Sequence, residues 1–198
     1  MKLVLATHNA HKVDELRRIL GPSLDGIELV AYDGPEPVED GETFVANALI
    51  KARAAAAHTG LPAIADDSGI AVAALGGAPG IHSARYAGTR SDDDNVTLLL
   101  ANLAAETDRS AAFMCAAAFV SVDSTRGDTE FSVLAEWPGS VLHERAGAGG
   151  FGYDPIFRPD GLSVSSAELT ADEKNAVSHR SMAFGELMPL VRATLNLS

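Results

Sequence analysis

Cysteine is almost absent: Cys115 stands alone, inside the apolar run Ala111 to Val122. No intrachain disulfide can form and no thiolate-based metal site can be assembled. That suits a reducing compartment, and a cytoplasmic protein is expected. Cys115 itself reads as a buried strand thiol. Long hydrophobic runs are missing too. No segment approaches the ~20 apolar residues of a membrane span, and the opening MKLVLATHN has too short an apolar stretch for a signal peptide. Basic residues are scarce, with 15 Lys and Arg against 27 Asp and Glu and a formal net charge of -12. Polymeric nucleic acid is bound mainly through Lys and Arg on phosphates, so such a partner is not expected. Most of the acidic excess reads as solvated surface. There is no GxxxxGKS or GxxxxGKT segment, which excludes a P-loop NTPase. His8, His11, His58, His82, His143 and His179 show no HExxH-type spacing, so zinc is not expected. Internal repeats and low-complexity linkers are also lacking.

What is present is a chain of 198 residues, 46% hydrophobic, enough to bury the core of one domain, 1–198, or of one domain in two lobes. Lys2 to Ala6 reads as a buried strand and Lys12 to Leu20 as a helix, with Val13, Leu16, Ile19 and Leu20 on one face. Ile27 to Ala31 is a strand. Thr43 to His58 is a helix closed by Gly60 and Pro62. Ala63 to Ala65 is a short strand ending at Asp66-Asp67-Ser68-Gly69, and Ile70 to Leu75 is another. Ser91 caps a helix over Asp92 to Ala105. Ala111 to Val122 and Thr129 to Trp137 form a hairpin around Ser124 to Asp128, and Ser140 to Glu144 is a further strand. Thr170 and Glu173 fit a capping box, and Met182 to Leu195 is a final amphipathic helix with Pro189 inside it. Strand–helix alternation followed by a hairpin implies an α/β fold with a mixed sheet flanked by helices.

Five segments carry candidate chemistry. Thr7-His8-Asn9-Ala10-His11-Lys12 joins a strand to a helix. Backbone N–H groups there favour an anion, and Lys12 adds charge, although Thr7 and Asn9 equally suit simple helix capping. Asn47 and Lys51 fall on one stripe of the second helix, beside the apolar face of Phe44, Ala48, Ala52 and Ala55. Lys51 there either snorkels or reaches into a cleft, while Arg53 points to solvent. Asp66 and Asp67 are adjacent carboxylates, costly unless something positive is close. Magnesium accepts a few carboxylates together with substrate phosphates, and Glu39 or Asp40 would add a ligand; a solvated acidic turn is the other reading. Gly149-Gly150-Phe151-Gly152-Tyr153-Asp154 lets backbone approach a planar ligand closely, with Phe151 either stacking on a base or packing in the core. Lys174 and Ser178-His179-Arg180 complete the set, Lys174 by itself being of a type that usually lies at the surface.

Six motifs in order tie these segments together: THNAHK (7–12), EDGETFVANALIKAR (39–53), IADDSGIAV (64–72), GGAPGIHSARYAG (76–88), GGFGYDPIF (149–157) and AELTADEKNAVSHR (167–180). With them the chain resembles the inosine triphosphate pyrophosphatase family, the non-canonical purine NTP pyrophosphatases, over nearly its whole length. The resemblance implies a long mixed sheet with helices in two lobes around a central nucleotide-binding cleft, as a homodimer. It implies magnesium-dependent hydrolysis of ITP, dITP and XTP to the monophosphate and pyrophosphate, cleansing the nucleotide pool. Thr7, Asn9, Lys12, Lys51 and Lys174 would then bind the triphosphate, and His8, Ala10, His11 and Ser68 would lie at the substrate. Glu39 and Asp67 would hold the metal, with Asp67 the acid–base residue and Asp66 in support. Phe151, Gly152, Tyr153 and Asp154 would line the base pocket, and His179 and Arg180 would read the base. GGAPGIHSARYAG would shape the cleft or a dimer contact. A broader nucleotide pyrophosphatase that also takes modified pyrimidines and a non-catalytic nucleotide sensor are the alternatives. The adjacent Asp66 and Asp67 speak against the sensor, which has no use for a water-activating group.

Overall fold

The computed structural model describes residues 1–8, 10–122 and 127–197, without the side chains of Ala10, His11 and Pro22. Asn9, and Ser124, Thr125 and Arg126 of the expected hairpin turn, therefore lie outside the described residues. The strands are β1 (Lys2–Leu5), β2 (Glu28–Ala31), β3 (Ala63–Val72), β4 (Ser110–Ser121), β5 (Thr129–Val141) and β6 (Phe157–Pro159). The helices are α1 (Ala10–Leu20), α2 (Phe44–Thr59), α3 (Asp92–Asn102), α4 (Ala171–Val177) and α5 (His179–Thr194). All six strands join one sheet in the order β2-β1-β3-β4-β5-β6. β1 runs parallel to β2 and β3, whereas β5 and β6 are antiparallel, so the sheet is mixed and the fold is α/β. The chain divides into two compact units, and β3, β4 and β5 each contribute residues to both.

The first unit comprises Met1–Asp67, Cys115–Ala135 and Arg180–Ser198. Its central strands β1, β3 and β4 are buried on both faces, and the two-residue period of a strand sorts their side chains. Leu3 and Leu5 of β1, Ile64 of β3, and Cys115, Ala117 and Phe119 of β4 pack with Leu16 and Leu20 of α1 and Phe184, Leu187 and Val191 of α5. The alternate residues Val4, Ala6, Ala63, Ala65, Ala116, Ala118 and Val120 pack with Ala48, Ala52, Ala55 and Ala56 of α2. Alanines on α2 let that helix approach a sheet face of equally small residues. Each fully buried large aliphatic or aromatic side chain contributes about 1.5–3 kcal/mol. α2 begins where Thr43 Oγ1 accepts from Ala46 N and stops at Gly60 in the left-handed conformation.

The second unit comprises Ser68–Met114 and Glu136–His179. Phe113, Trp137, Phe157 and His179 form an aromatic stack in it, with Phe113 4.9 Å from His179 at 12° between planes. Ser91 caps α3 by accepting from Asp94 N at 3.2 Å, and Thr170 and Glu173 form the expected capping box on α4.

Several boundaries differ from the sequence expectation, α3 for instance ending at Asn102 rather than Ala105. β3 does not end at Asp66 but runs unbroken to Val72. Isolated aspartates disfavour strands, but here cations distant in sequence neutralise them, as described below. Gly69 lets the strand continue, because a Cβ there would lie 2.3 Å from Ser83 Oγ and 2.5 Å from Gly80 O. β5 likewise continues through Pro138-Gly139 to Val141 instead of restarting at Ser140. Pro138 lacks a donor, but its carbonyl accepts from Asp160 N at 2.9 Å. α5 starts at His179 rather than Met182, and the three-residue β6 was too short to leave a periodic signal.

Candidate active site

In the first unit, Asp66 and Asp67 alternate across β3 and so meet different partners. Asp66 is buried. Its Oδ2 accepts from Lys12 Nζ at 2.9 Å and from Arg180 Nε and Nη2 at 3.3 and 3.2 Å. Arg180 is itself buried, and its Nη1 pairs with Glu15 of α1. Burial by itself would raise the pKa of Asp66, but Lys12, Arg180 and Lys51 outweigh it and hold the carboxyl well below the usual carboxylate range. Asp67 accepts from Lys51 Nζ at 2.9 Å on Oδ1 and from Asn47 Nδ2 at 3.4 Å on Oδ2. Lys51 Nζ also donates to Glu39 Oε2 at 3.1 Å. Burial pushes the Asp67 pKa up, only partly offset by Lys51 and Lys12. Burial alone would lower Lys51, but Asp67, Asp66 and Glu39 leave its pKa raised. Lys51 therefore remains an ammonium ion, while Asp67 is a stronger base than an ordinary aspartate.

The donor set fits magnesium. Glu39 Oε2 and Asp67 Oδ1 share one ammonium and thus lie no more than about 6 Å apart. Asp66 Oδ1 is buried with no hydrogen-bond partner among the described residues. These are hard oxygen donors, few in number. Among the described residues no three or more His, Cys, Asp or Glu side chains converge as a closed metal cage. An ion that keeps several waters and takes substrate phosphates needs only one or two carboxylates.

In the second unit, Asp154 is the organising group. Buried, it accepts from Phe151 N at 2.9 Å and Lys174 Nζ at 2.6 Å on Oδ2, and from Ser166 Oγ at 2.8 Å on Oδ1. Lys174 is 7% exposed, unlike the surface lysine its type suggests, and its Nζ lies 5.1 Å from the Phe151 ring centroid. Gly150 takes φ 70°, and a Cβ there would sit 2.0 Å from Asp154 Oδ2, so only glycine permits this clasp. Tyr153 OH donates to Ser83 O at 2.8 Å, and burial pushes its pKa up, so the phenol stays protonated.

Of the remaining predicted residues, Thr7 is half-buried at the end of β1, with its N–H donating to Leu5 O at 3.0 Å. His8 is exposed, and its Nε2 donates to Gly34 O at 3.1 Å. Ser68 is half-buried on β3. Asn9 and the side chains of Ala10 and His11 lie outside the described residues. The structure thus brings together Lys12, Glu39, Lys51, Asp66, Asp67 and Arg180 in one unit, and Phe151, Asp154 and Lys174 in the other. Sequence reasoning missed Glu15 and Ser166. Glu15 left one signal, its position three residues after Lys12 on the same face of α1. Ser166 left none.

Comparison with known proteins follows the same lines. The family model described as the Ham1 family matches residues 3–190. A dITP/XTP pyrophosphatase of Leifsonia xyli is 52% identical over 196 residues, covering 98% of this chain and 96% of the relative. A dITP/XTP pyrophosphatase of Streptomyces coelicolor is 51% identical, covering 98% of each. The solved Ham1 protein of Staphylococcus aureus superimposes with a TM-score of 0.87 at 33% identity, over 98% of this chain and 100% of that one. A match of this extent, in the family model, in sequence and in fold, places the chain in the Ham1 family.

Proposed function

We propose that this protein is a magnesium-dependent nucleoside-triphosphate pyrophosphatase that converts ITP, dITP and XTP to the monophosphate and pyrophosphate, acting in the cytoplasm as a homodimer. The observation that carries the reading is Asp67, a carboxylate made more basic by burial and aligned by Lys51 and Asn47, with Glu39 on the same ammonium. The names of the full-length relatives supply the reaction and substrate class.

Lys12 and Lys51 neutralise the triphosphate and the charge that develops on the leaving pyrophosphate. Glu39 and Asp67 would hold magnesium, which when bound supplies further positive charge to the phosphates. Asp67 accepts a proton from the attacking water. The water oxygen bonds to the α-phosphorus, the bond from that phosphorus to the bridging oxygen breaks, and pyrophosphate leaves with the electron pair. Asp66, pinned by Lys12 and Arg180, keeps β3 and Lys12 in place. Phe151, Gly152, Tyr153 and Asp154 are assigned to the base, with Lys174 beside Phe151. His179 and Arg180 are assigned to reading the base, where N–H donors would pair with the 6-oxygen of hypoxanthine or xanthine and leave the adenine amino group without an acceptor.

The test is pyrophosphate release from inosine, xanthosine, adenosine and guanosine triphosphates, with magnesium and after exhaustive chelation. Release confined to the first two, abolished by chelator and restored by magnesium, is expected. Full activity after chelation, or equal rates on all four, would overturn the reading.

A further inference from the structure

The loop 145–154 is tied at both ends to the first turn of α3. At its start, Arg145 Nη2 donates to Asp93 Oδ1 at 2.7 Å, to Asp93 O at 3.2 Å and to Thr97 Oγ1 at 2.9 Å. Near its end, Gly152 N donates to Asp92 Oδ2 at 2.7 Å. Three successive residues thereby reach three different partners: Phe151 N bonds Asp154 within the loop, Gly152 N bonds Asp92, and Tyr153 OH bonds Ser83 O. Of these, Asp92 alone is a charged group outside the loop that grips the loop backbone. It is also well fixed at its own base. Ser91 caps the helix, Thr89 Oγ1 donates to Asp94 Oδ2 at 2.8 Å, and Asn95 Oδ1 accepts from Ala87 N at 2.8 Å. A short side chain on a capped helix turn is a rigid arm, and a charge-assisted bond from it fixes where the backbone of Gly152 lies.

We infer that Asp92 is a positioning residue for base selection, holding Phe151, Gly152 and Tyr153 in the arrangement that receives the purine through its bond to Gly152 N. This rests on the reading above that Phe151 to Tyr153 take the base. Asp92 touches no substrate; it acts through the loop backbone.

Asp92→Ala and Asp92→Asn separate this role from mere helix stabilisation. Both remove the charge that complements the α3 dipole, so both should lower the melting temperature, Asp92→Ala somewhat further because it also loses the bond from Gly152 N. Only the alanine variant removes the acceptor for Gly152 N. Asp92→Ala should raise KM for inosine triphosphate by about fivefold and compress the inosine-to-adenosine ratio of kcat/KM similarly, with kcat within about twofold of wild type. Asp92→Asn should return both to within about twofold of wild type. Equal KM values in the two variants, or a wild-type KM in Asp92→Ala, would overturn the inference. Phe151→Ala, assayed in parallel, tells the two failures apart. If it raises KM while Asp92→Ala does not, the positioning role alone fails. If neither variant moves KM or the ratio, the assignment of the base to this loop fails and the inference with it.

Discussion

Replacing Lys51 with methionine keeps the aliphatic stem and removes the ammonium that holds Glu39 and Asp67 together. Lys51 Nζ lies 2.9 Å from Asp67 and 3.1 Å from Glu39, with side-chain exposures of 13% for the lysine, 11% for Asp67 and 26% for Glu39. At an effective dielectric of about 20, each contact is worth roughly 5–6 kcal/mol of Coulomb attraction. Dehydration of the three ions cancels much of this. Loss of one member of a buried ion pair nonetheless costs about 3–5 kcal/mol, because the carboxylates left behind repel each other out of full contact with water. Partial exposure of Glu39 argues for the lower figure, about 3 kcal/mol. For a chain of this length that corresponds to a fall in melting temperature of roughly 6–12 °C. Differential scanning fluorimetry in chelator measures it directly. Magnesium should return part of the loss in Lys51→Met by occupying the same oxygens, whereas KM for inosine triphosphate should rise. A shift under about 2 °C in chelator would show that the lysine is solvated and does not clamp the two carboxylates.

Asp67→Asn keeps the shape of the side chain but removes its basicity, and kcat should fall at least about a hundredfold with the fold intact; a loss under about fivefold would move the proton-accepting role to Asp66 or Glu39. Arg180→Ala should cost about 3–5 kcal/mol in stability, since Asp66 and Glu15 lose their shared cation, and should also drive the inosine-to-adenosine ratio of kcat/KM towards unity. Destabilisation with an unchanged ratio would leave Arg180 the positioning task alone. The Cys115 thiol, with its pKa pushed up to about 12 by burial, is essentially all protonated at pH 8, and its reactive thiolate appears only as the pH climbs towards that value. It should resist alkylation in the native protein and react only on unfolding; rapid native labelling at pH 8 would contradict its burial.

Local rules made much of this molecule readable. Thr43 and Gly60 bound α2, Ser91 opens α3, and Thr170 with Glu173 opens α4, all through contacts within a few residues of one another. The apolar runs of β1 and β4 gave their strands because a sheet buried on both faces needs no alternation. The course of β3 was hidden for the opposite reason. Asp66 is tolerable within a strand only because of Lys12 and Arg180, 54 and 114 residues away, and no local pattern encodes those pairings. Lys51 lay on a stripe with Asn47, yet only the structure selects the acidic cluster over solvent as its destination. Lys174 was hidden similarly, since its burial depends on Asp154, 20 residues earlier. The six ordered motifs pointed to the family, while the pairing of Glu15 with Arg180 in one unit and of Asp154 with Lys174 in the other is a property of the folded chain.

Product analysis with inosine triphosphate tests the central claim most directly. Turnover followed by phosphorus NMR in the presence of magnesium should yield inosine monophosphate and pyrophosphate in equal amounts, with no diphosphate at any time, and Asp67→Asn should suppress both products together. Appearance of inosine diphosphate and inorganic phosphate as the first products would place the attack at the terminal phosphorus and contradict the account.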